Sequence, residues 1–286
     1  MSAQFTTAAN VANSAAFDPD TPAPPRYKPG PPFDALDIRP GRVVLIGAPP
    51  SSGKTAAALQ VVVGVLQNQP DVRVVFACVE MTAADLLARI VARLAAVPVG
   101  HITDKTFAPG EKARVQKAVE LHRATLDRLA FLDPPFTLEH LADAATEFNA
   151  TVMAVDYVQR FGHGKDLRES LDGVMTGVRR LALAGAAVVA VSSVSRQKDY
   201  KGRSAYTGLG LASFRGSAEL EFGADSAYIL DAADGTAVLR CVKQRFGRPA
   251  DVHLRFSGEY QRFDPGDPLD GFDAAPGEAR GKGNRG

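Results

Sequence analysis

Eight residues constrain this chain more than any others: Ala48-Pro49-Pro50-Ser51-Ser52-Gly53-Lys54-Thr55. They follow the apolar run Val43-Val44-Leu45-Ile46 and lead into a helix-length apolar stretch from Thr55 to Leu66. A buried strand, a tight loop and a helix beginning near Gly53 aim several backbone N–H groups and the positive end of a helix at one point, where a nucleotide's phosphates would sit. Pro49 and Pro50 carry no N–H, so the cradle has to come mainly from Ser51 to Thr55. Lys54 would reach the β- and γ-phosphates, and the Thr55 hydroxyl would help hold Mg²⁺. Ala48 stands where the strict pattern has glycine, and Gly47 comes one residue early, so the match is to the looser form. The alternative is a Gly-Lys-Thr turn that caps an ordinary helix; the strand before it and the apolar helix after it argue for the phosphate loop.

At 286 residues with 45% hydrophobic content, the chain can bury one large core, read here as a single domain over 33–264. Residues 1–32, rich in Ala, Pro, Thr and Asp, and residues 265–286, rich in Gly, Asp, Pro and Arg, read as disordered arms. A net charge of +1 carries no global nucleic-acid signature, so binding of that kind has to come from a local patch. Cys78 and Cys241, both in apolar strand-like runs, read as reduced core thiols and point to the cytoplasm. No signal-peptide pattern opens the sequence, and no run of about 18 apolar residues is available to span a bilayer. Apolar runs at 43–46, 73–79, 152–155, 187–192, 226–230, 237–242 and 252–256 alternate first with helical patterns and later with short turns. That order predicts an α/β fold, a mainly parallel central sheet flanked by helices and finished by antiparallel strands.

In open α/β sheets ligands gather beyond the carboxyl ends of the strands, and two acids stand there. The run 73–79 ends in Glu80, and the run 151–155 ends in Asp156. If both strands neighbour the loop strand, Asp156 can hold a water of the Mg²⁺ shell while Glu80 polarises the water that attacks the γ-phosphate. Taken singly, each acid is equally well a polar strand end. Thr82, with Asp85 three residues on, predicts a capped helix whose Leu86, Leu87, Ile90, Val91 and Leu94 form one apolar stripe. Arg89 lies off that stripe, free to interact or simply solvated.

A third apolar run, 188–191, ends in Ser192-Ser193-Val194-Ser195-Arg196. From Arg196 to Arg215 five basic residues (Arg196, Lys198, Lys201, Arg203, Arg215) stand against one acid, Asp199. Such a loop either grips a phosphodiester backbone or is a solvated surface. Further on, Lys243 and Arg245 project from the same face of a strand end. They are either edge charges that discourage aggregation or a pair that reaches a γ-phosphate across a subunit boundary.

Taken in order, these segments resemble the RecA-like motor domain of DnaB-type (superfamily 4) hexameric replicative helicases. The resemblance rests on Ala-Pro-Pro-Ser-Ser-Gly-Lys-Thr at 48–55, Val-Glu-Met-Thr-Ala-Ala-Asp-Leu-Leu-Ala-Arg at 79–89 and Val-Asp-Tyr-Val-Gln at 155–159. It continues through Ser-Ser-Val-Ser-Arg at 192–196, Phe-Arg-Gly-Ser-Ala-Glu-Leu-Glu-Phe-Gly-Ala-Asp at 214–225 and Val-Lys-Gln-Arg-Phe-Gly at 242–247. It implies a RecA-like P-loop ATPase, a 5′-to-3′ helicase motor whose subunits form a ring, a hexamer in the family, around single-stranded DNA, with ATP at each interface. By that similarity Lys54 and Thr55 bind Mg·ATP, Glu80 is the catalytic base and Asp156 the second acidic residue. Lys243 and Arg245 match the pair supplied in trans, and the loop after Arg196 matches the DNA-facing region. Ser193 stands where the family usually has the glutamine thought to relay the state of the γ-phosphate, which leaves open a RecA-fold regulator or loader that does not unwind. Only 32 unpatterned residues precede the motor, so the similarity extends to stand-alone plasmid or phage ring helicases rather than to members with a primase-recruiting domain.

Overall fold

The computed structural model describes residues 5–15, 17–162, 167–195, 197–198, 204–205, 209–214, 218–233 and 235–267. The strands are β1 (Val43–Ala48), β2 (Val74–Cys78), β3 (Leu129–Phe131), β4 (Val152–Asp156), β5 (Ala187–Ser193), the two-residue pair β6 (Gln197–Lys198) and β7 (Ser204–Ala205), β8 (Ser226–Ala233), β9 (Thr236–Gln244), β10 (Val252–Ser257) and β11 (Arg262–Pro265). The helices are α1 (Ala8–Ala12), α2 (Lys54–Asn68), α3 (Ala83–Ala95), α4 (Val99–Thr103), α5 (Glu111–Leu121), α6 (Arg123–Leu126), α7 (Leu138–Glu147), α8 (Leu167–Leu183) and α9 (Ala218–Gly223).

All seven predicted runs are strands, and nine strands join one sheet in the order β11-β10-β9-β8-β1-β5-β4-β2-β3. Pairing is parallel from β3 through β8 and antiparallel from β8 to β11. The predicted mainly parallel sheet with antiparallel C-terminal strands is therefore present. β3 and β11 escape sequence reading because a three- or four-residue strand carries too few alternations to register as a period.

The central strands are buried on both faces, as parallel sheets require. In β1, Val44 and Ile46 face a layer built by α2, α3 and the segment from Tyr27 to Ile38, while Val43 and Leu45 face α7, α8 and α9. Core packing reaches back to Tyr27, whose ring is buried and whose N–H bonds the Ile38 carbonyl at 2.8 Å. Helix α3 starts as its capping pattern predicts: the Asp85 N–H donates to Thr82 Oγ1 at 3.2 Å, and the Thr82 N–H donates to Asp85 Oδ2 at 3.2 Å. Leu86 and Ile90 pack into the main core, while Val91, Ala92 and Ala95 join a smaller cluster with Ile102 and Ala118. Among the described residues no helix is long and apolar enough to cross a membrane.

Candidate functional site

The loop 48–55 leaves the carboxyl end of β1 and enters α2 as the sequence predicts. Gly53 has φ +84°, a left-handed conformation open to glycine, and α2 begins at Lys54. A Cβ at Gly53 would come within 2.7 Å of the Phe256 ring, so the loop also needs glycine for the hairpin β10–β11 to close against it. Ser52 is buried and donates its hydroxyl to the Pro49 carbonyl at 2.7 Å, tying the proline half of the loop to the serine half. The loop opens on a cavity of about 310 Å³ walled by Ser51, Lys54 and Thr55 on one side and by Arg89, Phe256 and Gln261 on the other.

Both acids lie at this edge of the sheet, by a route that differs from the one expected. Neither β2 nor β4 neighbours β1: β5 separates β1 from β4, and β2 lies one strand further out. The adjacency on which that reading was conditioned is not met, and it is not needed. Helix α2 crosses over β1, β5 and β4, which carries Thr55 to the end of β4. Asp156 there is almost completely buried, and burial pushes its carboxyl above the usual range against the opposing pull of the Thr55 hydroxyl and the Lys54 ammonium. Its Oδ2 is buried and has no hydrogen-bond partner among the described residues. A buried carboxylate oxygen left unpaired beside a lysine and a threonine fits a hydrated magnesium ion shared with phosphates, since that ion needs only one or two protein oxygens. Lys54 Nζ sits 5.4 Å from the Tyr157 ring centroid.

Glu80 is half-exposed, with Oε1 3.7 Å from Arg160 Nη2. It lines a neighbouring cavity of about 370 Å³ beyond β2 and β3; burial pushes the Tyr157 hydroxyl above its usual range, and the Glu80 charge adds to that rise as it does, more weakly than burial, at Asp156. Arg89, which sequence reasoning left undecided, points into the phosphate cavity and hydrogen-bonds Gln261. Its position off the apolar stripe was the available signal. Phe256 and Gln261 carried none, because only the folded hairpin brings them to the loop.

Ser193 pairs in register with Ala48, at the start of the loop. Its N–H donates to Gln159 Oε1 at 3.2 Å, while Gln159 Nε2 donates to the Ser192 hydroxyl at 2.7 Å. One glutamine thus ties the segment after β4 to the end of β5. Arg196, Lys201, Arg203 and Arg215 lie outside the described residues, and of Lys198 only the backbone, in β6, is described.

Lys243 and Arg245 are not part of this cluster. β9 runs antiparallel to β8, and Gln244 pairs with Ser226, which itself pairs with Val44. The pair therefore stands at the amino-terminal edge of the parallel strands, opposite the phosphate loop. Six residues of β1 separate the edges, roughly 17–20 Å at about 3.3 Å per residue. Arg245 Nη1 donates to the buried Asp225 at 3.0 Å, and Lys243 Nζ lies 3.4 Å from the Phe222 carbonyl.

Comparison with curated proteins returns no match. Among solved structures, an ATPase domain superposes with a TM-score of 0.68 at 20% identity, over 79% of this chain and 85% of that one. A DnaB-like replicative helicase, solved in a study of its interactions with primase, also gives 0.68 at 20% identity, over 79% of this chain and 57% of that one. Likeness at that identity shows the fold, which is thus shared with RecA-like ATPase domains. The sequence profile described as DnaB-like helicase C terminal domain matches residues 36–265, from just before β1 to the end of β11, and by that match the chain belongs to the DnaB-like helicase C-terminal domain family.

Proposed function

We propose that this chain is the ATP-hydrolysing motor of a ring-forming helicase that moves 5′ to 3′ on single-stranded DNA during replication. One observation carries the reading: the phosphate loop, Asp156 and Glu80 share one edge of the sheet, whereas Lys243 and Arg245 stand on the opposite edge of the same sheet. A basic pair so placed cannot reach its own subunit's phosphates. Head-to-tail association of identical subunits brings one edge against the other at each contact, and closing that contact on itself makes a ring.

In this reading the N–H groups from Ser51 to Thr55 and the Lys54 ammonium bind the phosphates, and Arg89 closes the cavity from α3. Thr55 and Asp156 would hold Mg²⁺, which would supply positive charge to offset that of the phosphates. Glu80 orients the attacking water and takes its proton. Lys243 and Arg245 of one subunit stabilise the charge on the phosphoryl group held by the next. Arg196, Lys198, Lys201, Arg203 and Arg215 are the proposed contacts to DNA phosphates, and Gln159 braces the loop start beside Ser193.

ATP turnover with and without single-stranded DNA, together with strand displacement from a forked duplex bearing a 5′ tail, tests the proposal. Turnover stimulated by DNA and unwinding abolished by Glu80→Gln are expected. Turnover that ignores DNA in a protein that stays monomeric with Mg·ATP refutes it, and DNA-stimulated turnover without unwinding moves the assignment to a regulator or loader.

A further inference from the structure

Asp225 stands just before β8 with its side chain 3% exposed. Its Oδ2 accepts from the Val43 backbone N–H at 3.0 Å and from Arg179 Nη1, and its Oδ1 accepts from Arg245 Nη1 at 3.0 Å. The backbone pins it as well: the Asp225 N–H donates to the Val43 carbonyl at 2.9 Å, and the Arg245 N–H donates to the Asp225 carbonyl at 2.8 Å. A buried carboxylate tolerates desolvation only with partners of this kind, and here they fix its position from the first residue of β1, from α8 and from the end of β9.

The charge pattern of the trio is informative. One carboxylate lies between two guanidinium groups, so the cluster keeps a net positive charge. Arg245 is the more exposed of the two cations, at 43% against 28% for Arg179. Arg245 Nη1 engages Asp225 and Nη2 lies 3.4 Å from the Phe222 carbonyl, while a guanidinium has five N–H donors in a rigid fork. Donors and charge therefore remain for an incoming anion, on a side chain that would otherwise sample many rotamers.

We propose that Asp225 is the positioning residue for the arginine that each subunit offers to its neighbour's nucleotide. The carboxylate orients the Arg245 guanidinium before the neighbour docks, and Arg179 offsets the charge of the carboxylate so that the field of Arg245 is not cancelled. The inference rests on the trans role of Arg245 set out above.

The competing possibility is that Asp225 serves only its own subunit by holding Val43 and hence the strand that carries the phosphate loop. Mixing full-length variants separates the two. Lys54→Ala subunits keep an intact Arg245 but have a disabled loop, and Arg245→Ala subunits are the reverse. Asp225→Asn alone is expected to turn ATP over about 10–100-fold more slowly, with KM for ATP essentially unchanged, because a donor misplaced by about 1 Å costs that much. Turnover should recover on mixing with Lys54→Ala and not on mixing with Arg245→Ala. In an Arg245→Ala background, Asp225→Asn should cost nothing further. Recovery with Arg245→Ala in place of Lys54→Ala, a multiplicative loss in the double variant, or wild-type turnover by Asp225→Asn overturns the proposal. Melting curves check that each variant folds. If Asp225→Asn does not fold, Arg179→Gln carries the same test, because it removes the offsetting charge and should fall in the same complementation group. Wild-type turnover by Arg245→Ala alone would defeat the trans reading itself, whereas dependence on Arg245 with own-loop behaviour by Asp225→Asn would remove only the role of Asp225.

Discussion

Replacing Gly64 with alanine tests whether tertiary packing overrides helix propensity in the helix that follows the phosphate loop. Gly64 lies inside α2, where alanine is intrinsically favoured by about 1 kcal/mol. An added Cβ, however, would stand 1.9 Å from the Pro29 carbonyl oxygen and 2.9 Å from its carbon. These are backbone atoms of a segment held at one end by the Tyr27–Ile38 hydrogen bond and at the other by Phe33, 1% exposed and packed edge-on to Phe263 at 5.8 Å. The segment has to retreat by roughly 1–1.5 Å to restore ordinary contact. Overpacking of that kind costs about 1–3 kcal/mol, and unseating Phe33 adds about 1.5–3 kcal/mol. After the propensity gain is subtracted, a net loss of about 1.5–5 kcal/mol remains, which lowers Tm by roughly 6–13 °C at mid-range. Gly173 in α8 is the control: it is exposed and a Cβ there meets nothing within 4 Å. Gly173→Ala should therefore keep the propensity gain and raise Tm by about 2–4 °C. Thermal unfolding followed by circular dichroism compares the two with the wild type. A Gly64→Ala protein as stable as the wild type, or two variants shifted in the same direction, would refute the packing argument.

Thr82→Ala removes the cap of α3 and should destabilise the protein by about 1 kcal/mol in denaturant titration; it should also raise KM for ATP, because α3 carries Arg89 to the phosphate cavity. Glu111 is held below the ordinary glutamate range by the Ala108 N–H and by His101, so its stabilising effect is complete above the unfolded-state value and is lost as pH falls through the lower folded value. Melting curves from pH 7 to pH 3 should accordingly fall less steeply for Glu111→Gln than for the wild type over the acid part of that range.

The features legible in the sequence were local. A β-branched run before Gly-Lys-Thr and an apolar helix after it are enough to specify strand, loop and helix, because pleat and helix periods act over a few residues. Thr82 and Asp85 announced the start of α3 for the same reason, and seven strands followed from their apolar runs. What depended on partners distant in sequence was not legible. No local pattern says that β5 inserts between β1 and β4, or that α2 then carries Thr55 to Asp156 across it. Nor does one say that Phe256 and Gln261 close the cavity from a hairpin some 200 residues beyond the loop. The pair Lys243 and Arg245 shows the division most clearly. Alternation along a strand predicts that the two project together, but only the antiparallel turn of β9 against β8 decided that they stand at the edge far from the phosphate loop. Side-chain period is a property of the chain itself, whereas strand order is settled by which buried surfaces pack best once the whole chain has collapsed.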